Sequence, residues 1–251
     1  MTLTKLNECT AIRQKIRSAP TVVYPSSDGE PMAETERHRK ALEDLVDMID
    51  LHFRQVPDVH VSGNLLLYYE EGNPRKVISP DVFMVRGVSK KELRIYKTWE
   101  QSPTLDFVLE LASPSTFTRD FREKKEIYAK ILKVQEYYIY DPYHEIEPSF
   151  VGFRLVDGAY EEIAFVDGQL PSKVLGLALG KRDGMLRLYN PATGEWLVPS
   201  RERADEAEAR AQDAETRALA AESLVQQEAR ARQNAEAELA KAREILKHLQ
   251  Q

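Results

Sequence analysis

Along the chain, apolar residues change their spacing several times, and each change predicts a different element. Leu42, Leu45, Val46, Ile49 and Phe53 recur three and four apart among charged residues, which predicts an amphipathic helix starting near Glu34 or Thr35. Upstream, Thr21 to Tyr24 reads as a short edge strand and Pro25 to Pro31 as a loop. From residue 58 the pattern shortens to Val59-His60-Val61, Leu65 to Tyr69 and Val82 to Val85. Ser62-Gly63-Asn64 and Glu70 to Pro74 separate these runs as turns, so three strands are expected. Two further apolar runs, Phe107 to Ala112 and Val134 to Tyr140, flank the charged segment Arg119 to Lys133. Within that segment Phe121, Ile127, Tyr128 and Ile131 form a helical stripe, and Ser113 to Thr116 supply a capping turn. Residues 150 to 189 alternate around Asp-Gly and Arg-Asp-Gly turns, which predicts hairpins covering a sheet edge. The expected class is therefore α/β, an α+β mixed sheet with flanking helices.

After Pro199 the chain contains neither Gly nor Pro, and nine Lys or Arg face eleven Asp or Glu. A long helix is expected there. It carries a heptad register with one seam at Ala204, Ala211, Ala218, Val225, Arg232, Leu239 and Leu246, and a second that is mostly alanine. This divides the chain into an N-terminal segment (1–24), a folded body (25–195) and a helical, coiled-coil-like tail (200–251), through which a homo-oligomer is expected. The single cysteine, Cys9, leaves no internal disulfide framework and fits a reducing cytoplasm. No run of about 18 apolar residues occurs, so no membrane association is expected. A net charge of -6 argues against coating nucleic acid by bulk electrostatics. It leaves room for an enzyme with a local basic channel beside an acidic metal site.

The chemistry is concentrated in a few polar residues set among apolar ones. Glu110 interrupts the run Phe107 to Ala112, and a carboxylate buried there needs a cation or hydrogen-bond donors. Asp81 follows Pro80 at the start of the Val82 strand, where proline fixes the entry angle. Lys124 lies three and four residues before Ile127 and Tyr128, on the inward-leaning side of its helix. Glu34 and His38, four apart, share a helical face. Carboxylates converging from adjacent strands can hold magnesium, which lowers the pKa of bound water and screens a phosphate, while a nearby lysine orients that water. Asp81 and Glu110 would hold the metal, Lys124 would supply the ammonium, and Glu34 would complete the shell. A simpler reading makes Asp81 a turn cap and Glu110–Lys124 a structural ion pair.

In order, Pro80-Asp81, Leu109-Glu110-Leu111-Ala112-Ser113-Pro114-Ser115-Thr116, Asp120, Lys124, Tyr128 and Glu136-Tyr137-Tyr138-Ile139-Tyr140-Asp141-Pro142 resemble the Uma-two family of restriction-endonuclease-like proteins, within the PD-(D/E)xK nuclease superfamily. The resemblance spans about residues 20 to 190, and Asp28 to Glu34 with His38 and the Ala-, Glu- and Arg-rich tail fit one of its subgroups. It implies a restriction-endonuclease-like core over residues 25–195 with extra hairpins. It also implies Mg2+ or Mn2+ at the two acids and DNA as the substrate of an endonuclease. The superfamily pattern places lysine two residues after the second acid, where this chain has Ala112, and the resemblance moves that role to Lys124. If Lys124 falls short of the acids, the alternative is a weak or inactive nuclease-fold protein that binds or scaffolds through its tail.

Overall fold

The computed structural model describes residues 22–27 and 35–249. Helix α1, Glu36–His52, starts where Thr35 accepts the backbone N–H of His38 at 3.3 Å. Ala41, Leu45, Met48 and Ile49 bury its apolar face. The buried Asp44 on the same face is met at 2.9 Å by Arg187, whose side chain is 11% exposed.

Six strands make the main sheet in the order β1 (Val59–Ser62), β4 (Val82–Arg86), β6 (Phe107–Leu111), β7 (Glu136–Tyr140), β8 (Phe150–Val156) and β9 (Ala159–Glu162). All neighbours are antiparallel except β6 and β7, which pair in parallel from Phe107–Glu136 to Leu111–Tyr140. A parallel pair requires a crossover, and the helical segment α2, residues 117–131, provides it. Three short strands, β2 (Leu67–Tyr68), β3 (Val77–Ile78) and β5 (Tyr96–Lys97), form a small second sheet. The third sheet runs β10 (Gln169–Ser172), β11 (Leu177–Arg182), β12 (Met185–Asn190), β13 (Glu195–Trp196).

Alternation along β6 assigns its side chains to two cores. Phe107, Leu109 and Leu111 join α1 and the β10–β12 leucines on one face, while Val108 joins Tyr128, Leu132 and Val134 on the other. Glu110 shares parity with Val108 and therefore points beneath α2.

Several sequence expectations are corrected. Residues 22–24 form no strand; Tyr24 packs edge-on against Tyr68 and its hydroxyl accepts the Gly72 N–H. Of the run Leu65 to Tyr69, only Leu67 and Tyr68 pair as strand. The hairpins after residue 150 do more than cover an edge. The β8–β9 hairpin lengthens the main sheet, and β10–β13 form a separate layer whose leucines share a core with α1. Thr116 makes no side-chain cap to α2; its hydroxyl accepts the Ser113 N–H at 3.0 Å instead.

The α2 segment opens with one α-helical turn, Phe117–Arg119, and then widens into π-helical stretches at Asp120–Lys124 and Ile127–Ile131. Hydrogen bonds five residues apart widen the turn beyond 3.6 residues, so positions four apart stack more nearly above one another. The inward face consequently reads Asp120, Lys124, Tyr128, Leu132, and Ile131, expected on the apolar stripe, is 47% exposed.

The described residues up to Leu197 form one compact unit and those from Val198 onward a second. The second is α3, Ser200–Leu249, whose described side chains are mostly exposed and include the i,i+4 ion pairs Arg210–Glu206 and Arg217–Asp213. Among the described residues no helix is long and apolar enough to cross a membrane.

Candidate active site

The antiparallel register of β4 and β6 pairs Val82 with Leu109, so Asp81, one step outward, lies opposite Glu110. Residues directly opposite in such a pair point to the same face. The two acids also tie the strand ends together. Asp81 Oδ2 accepts the Leu111 N–H at 2.7 Å, and the Asp81 N–H reaches Glu110 Oε2 at 3.4 Å. Gly63 supports this corner from below. A Cβ at that position would stand 2.5 Å from the Asp81 carbonyl oxygen, with Val46 and Leu42 on its other sides, so only glycine allows the close approach.

Helix α2 closes over the pair. Lys124 Nζ lies 2.7 Å from Glu110 Oε2 and 3.1 Å from Asp120 Oδ1, and its side chain is 12% exposed. The Tyr128 hydroxyl donates to Glu110 Oε1 at 2.5 Å. Asp81, Asp120 and Lys124 line a cavity of about 610 Å³ together with His38 of α1, the turn 113–116 and the loop from Asp141 to Glu145. That loop is held by Asp141, which accepts the N–H groups of Tyr143, Glu145 and Ile146. Arg37 braces it from α1, donating to the Pro142 carbonyl at 3.1 Å.

Three carboxyls around one ammonium are not neutralised, and their proton affinities respond. Burial pushes Glu110 up to about 7, opposed by Lys124 and reinforced by Asp81. Burial also raises Asp81 and Asp120, again against the pull of Lys124. Burial alone would lower Lys124, but Glu110, Asp120 and Asp81 outweigh it and hold the ammonium charged. Burial, then the Glu110 charge, raises the Tyr128 hydroxyl well above its ordinary range.

The donor set suits a hard divalent cation. Asp81 and Glu110 lie opposite each other on one face of the sheet, and two buried carboxylates so placed raise each other's proton affinity unless positive charge stands between them. A cation between them supplies that charge. Among the described residues no three His, Cys, Asp or Glu side chains form a cage. Magnesium does not require one, since it keeps several waters and takes one or two carboxylates.

Of the sequence-predicted site residues, Asp81, Glu110 and Lys124 come together, and Glu34 lies outside the described residues. His38 lines the cavity. Asp120 and Tyr128 were not among the predicted site residues, although their spacing of four on either side of Lys124 marks one inward stripe. At the start of a helix an aspartate reads as a dipole partner, and a tyrosine among apolar residues reads as core.

A family model described as "Uma2: Putative restriction endonuclease" matches residues 14–181. A crystal structure described as that of a putative nuclease from Anabaena variabilis aligns with 61% of this chain and 86% of its own, at 14% identity and a TM-score of 0.44. No curated protein matches the chain.

Proposed function

The chain belongs to the Uma2 family, and from that premise we propose that it is a metal-dependent endonuclease hydrolysing DNA phosphodiester bonds at the Asp81–Glu110–Lys124 site. The observation that carries this reading is an amine 2.7 Å from a fully buried glutamate that a second acid faces across the sheet. A buried acid surrounded by other acids is a costly way to hold a core together, whereas it is useful for holding a cation.

In this reading Asp81 and Glu110 hold Mg2+ or Mn2+ through their carboxylate oxygens. When bound, the ion supplies a Lewis acid that lowers the pKa of a water and screens the phosphate. The Lys124 ammonium, charged throughout the neutral range, orients the attacking water or meets charge developing on the phosphoryl oxygens. Ser113, Ser115 and Thr116 present hydroxyls on the cavity wall, suited to non-bridging phosphate oxygens. The α3 tail would assemble copies of the chain through its heptad seam.

Plasmid nicking tests the reading. The wild type should nick supercoiled DNA with Mg2+ or Mn2+ and lose this with a chelator, and Asp81→Ala, Glu110→Ala and Lys124→Ala should be inactive while folded. A second reading, a binding or scaffold protein without cleavage, draws support from one observation: both Glu110 oxygens already have protein partners. It predicts no nicking with any divalent ion and no change in melting temperature on adding a chelator.

A further inference from the structure

Lys124 stands close to two carboxylates but is directed at one. Its ammonium donates to Glu110 Oε2 at 2.7 Å. Asp120 Oδ1 is only 3.1 Å away, on a side chain 2% exposed, yet among the described residues it receives no aligned hydrogen bond. That oxygen is held by the charge of the ammonium alone and is a ready acceptor, so the ammonium needs only to turn to donate to it.

We propose that Lys124 is handed from Glu110 to Asp120 when a divalent cation takes the Asp81–Glu110 end of the site, which makes Asp120 the positioning residue for the lysine. The inference rests on the metal-dependent reading above. An ammonium and a divalent ion cannot both press on Glu110 Oε2, because like charges repel strongly where water is excluded. The displaced ammonium keeps three donors to satisfy, and Asp120 Oδ1 lies within reach without backbone movement, since both residues belong to one π-helical stretch. The transfer has a direction. Asp120 and Lys124 line the cavity, whereas Glu110 is fully buried and does not line it. Turning from one acid to the other therefore directs the amine away from a buried acid and toward the cavity wall that a bound phosphate would face. Tyr128 stays on Glu110 Oε1 throughout and keeps that carboxylate oriented.

Full-length protein labelled with 13C and 15N at its lysine side chains tests this by NMR during a titration with Mg2+ alone. The Lys124 Cε–Nζ signals are assigned by their loss in Lys124→Arg. In the wild type, Mg2+ should shift the Lys124 signals and leave its ammonium hydrogens protected from exchange. In Asp120→Asn, Mg2+ should still shift the backbone signals of Asp81 and Leu111, while the Lys124 hydrogens exchange about tenfold faster. Asp120→Glu should restore protection. If Mg2+ shifts Asp81 and Leu111 but leaves Lys124 unmoved, or if Asp120→Asn reaches the wild-type end point, the handover is wrong and the metal-dependent reading survives. If Mg2+ shifts none of these signals, both are wrong.

Discussion

Two glutamates on the paired strands β6 and β7 are equally buried, face opposite sides of one sheet, and keep very different company. Glu136, 1% exposed, points toward the β10–β13 layer and is surrounded by donors. Arg154 meets its Oε1 through two nitrogens at 3.0 and 2.8 Å and the Lys173 N–H adds a third donor at 3.0 Å, while Oε2 accepts from the Ser172 hydroxyl at 2.5 Å, the Tyr138 hydroxyl at 3.3 Å and the Val174 N–H at 3.4 Å. Glu110, with no exposure, points beneath α2, where its donors are one lysine, one tyrosine and the distant Asp81 N–H, and its neighbours include two more acids. The first arrangement consumes every lone pair in holding two layers together. The second leaves surplus negative charge beside an open cavity. Burial of an acid therefore says little about its role, and the balance of donors against like charges says a good deal.

Substituting each glutamate should separate the two roles most sharply. Glu136→Ala abandons Arg154 in a part-buried site and should cost about 3–5 kcal/mol in denaturant unfolding, with nicking per folded molecule retained. Glu110→Ala should keep the fold and lose activity by a factor of about 10²–10³. The reverse pattern would erase the distinction.

The pH dependence of stability should follow Glu110. Its folded pKa, pushed up to about 7, lies above its ordinary value of 4.5, so the stability it contributes is full below about 4.5 and is lost as pH rises through 7. Metal-free protein should lose up to about 3 kcal/mol through this group between pH 5 and pH 8. Burial lowers His52 and His60, which act in the opposite sense as pH falls through their range. Glu110→Gln isolates the effect, and its melting temperature should depend less on pH than that of the wild type. Equal dependence in both would contradict the raised pKa.

Gly63→Ala should act on the site through its floor. Displacing the Asp81 carbonyl should cost about 1–3 kcal/mol and weaken Mg2+ binding, measured on the same sample. Glycine replacements at exposed turns such as Gly72 test only backbone conformation and should leave Mg2+ affinity alone. The smallest effect is expected from deleting residues 200–251. Light scattering should report a lower mass while the unfolding midpoint of the body stays within about 0.5 kcal/mol of the parent. An unchanged mass would exclude self-association through the tail.

What the sequence made legible follows the strength of local patterns. The runs at β6 and β7 are apolar on both faces and bounded by polar turns, so Glu110 stood out as an anomaly inside one of them. Lys124 was legible because Ile127 and Tyr128 fix the inner face of its helix. The two-residue strands Val77–Ile78 and Tyr96–Lys97 have no periodicity to read, and only pairing with β2 makes them strands. The π-helical widening of α2 was equally hidden. It depends on tertiary packing, and it moves Asp120 into the site while sending Ile131 to solvent. The separate β10–β13 layer escaped notice because alternation predicts strands without saying which sheet they join.

A calorimetric titration of Mg2+ into wild type and Glu110→Gln at pH 8 tests the central claim most directly. The account predicts one saturable site in the wild type, with proton release on binding, and loss of that site in the variant. No binding to the wild type, or the same isotherm for both proteins, would contradict it.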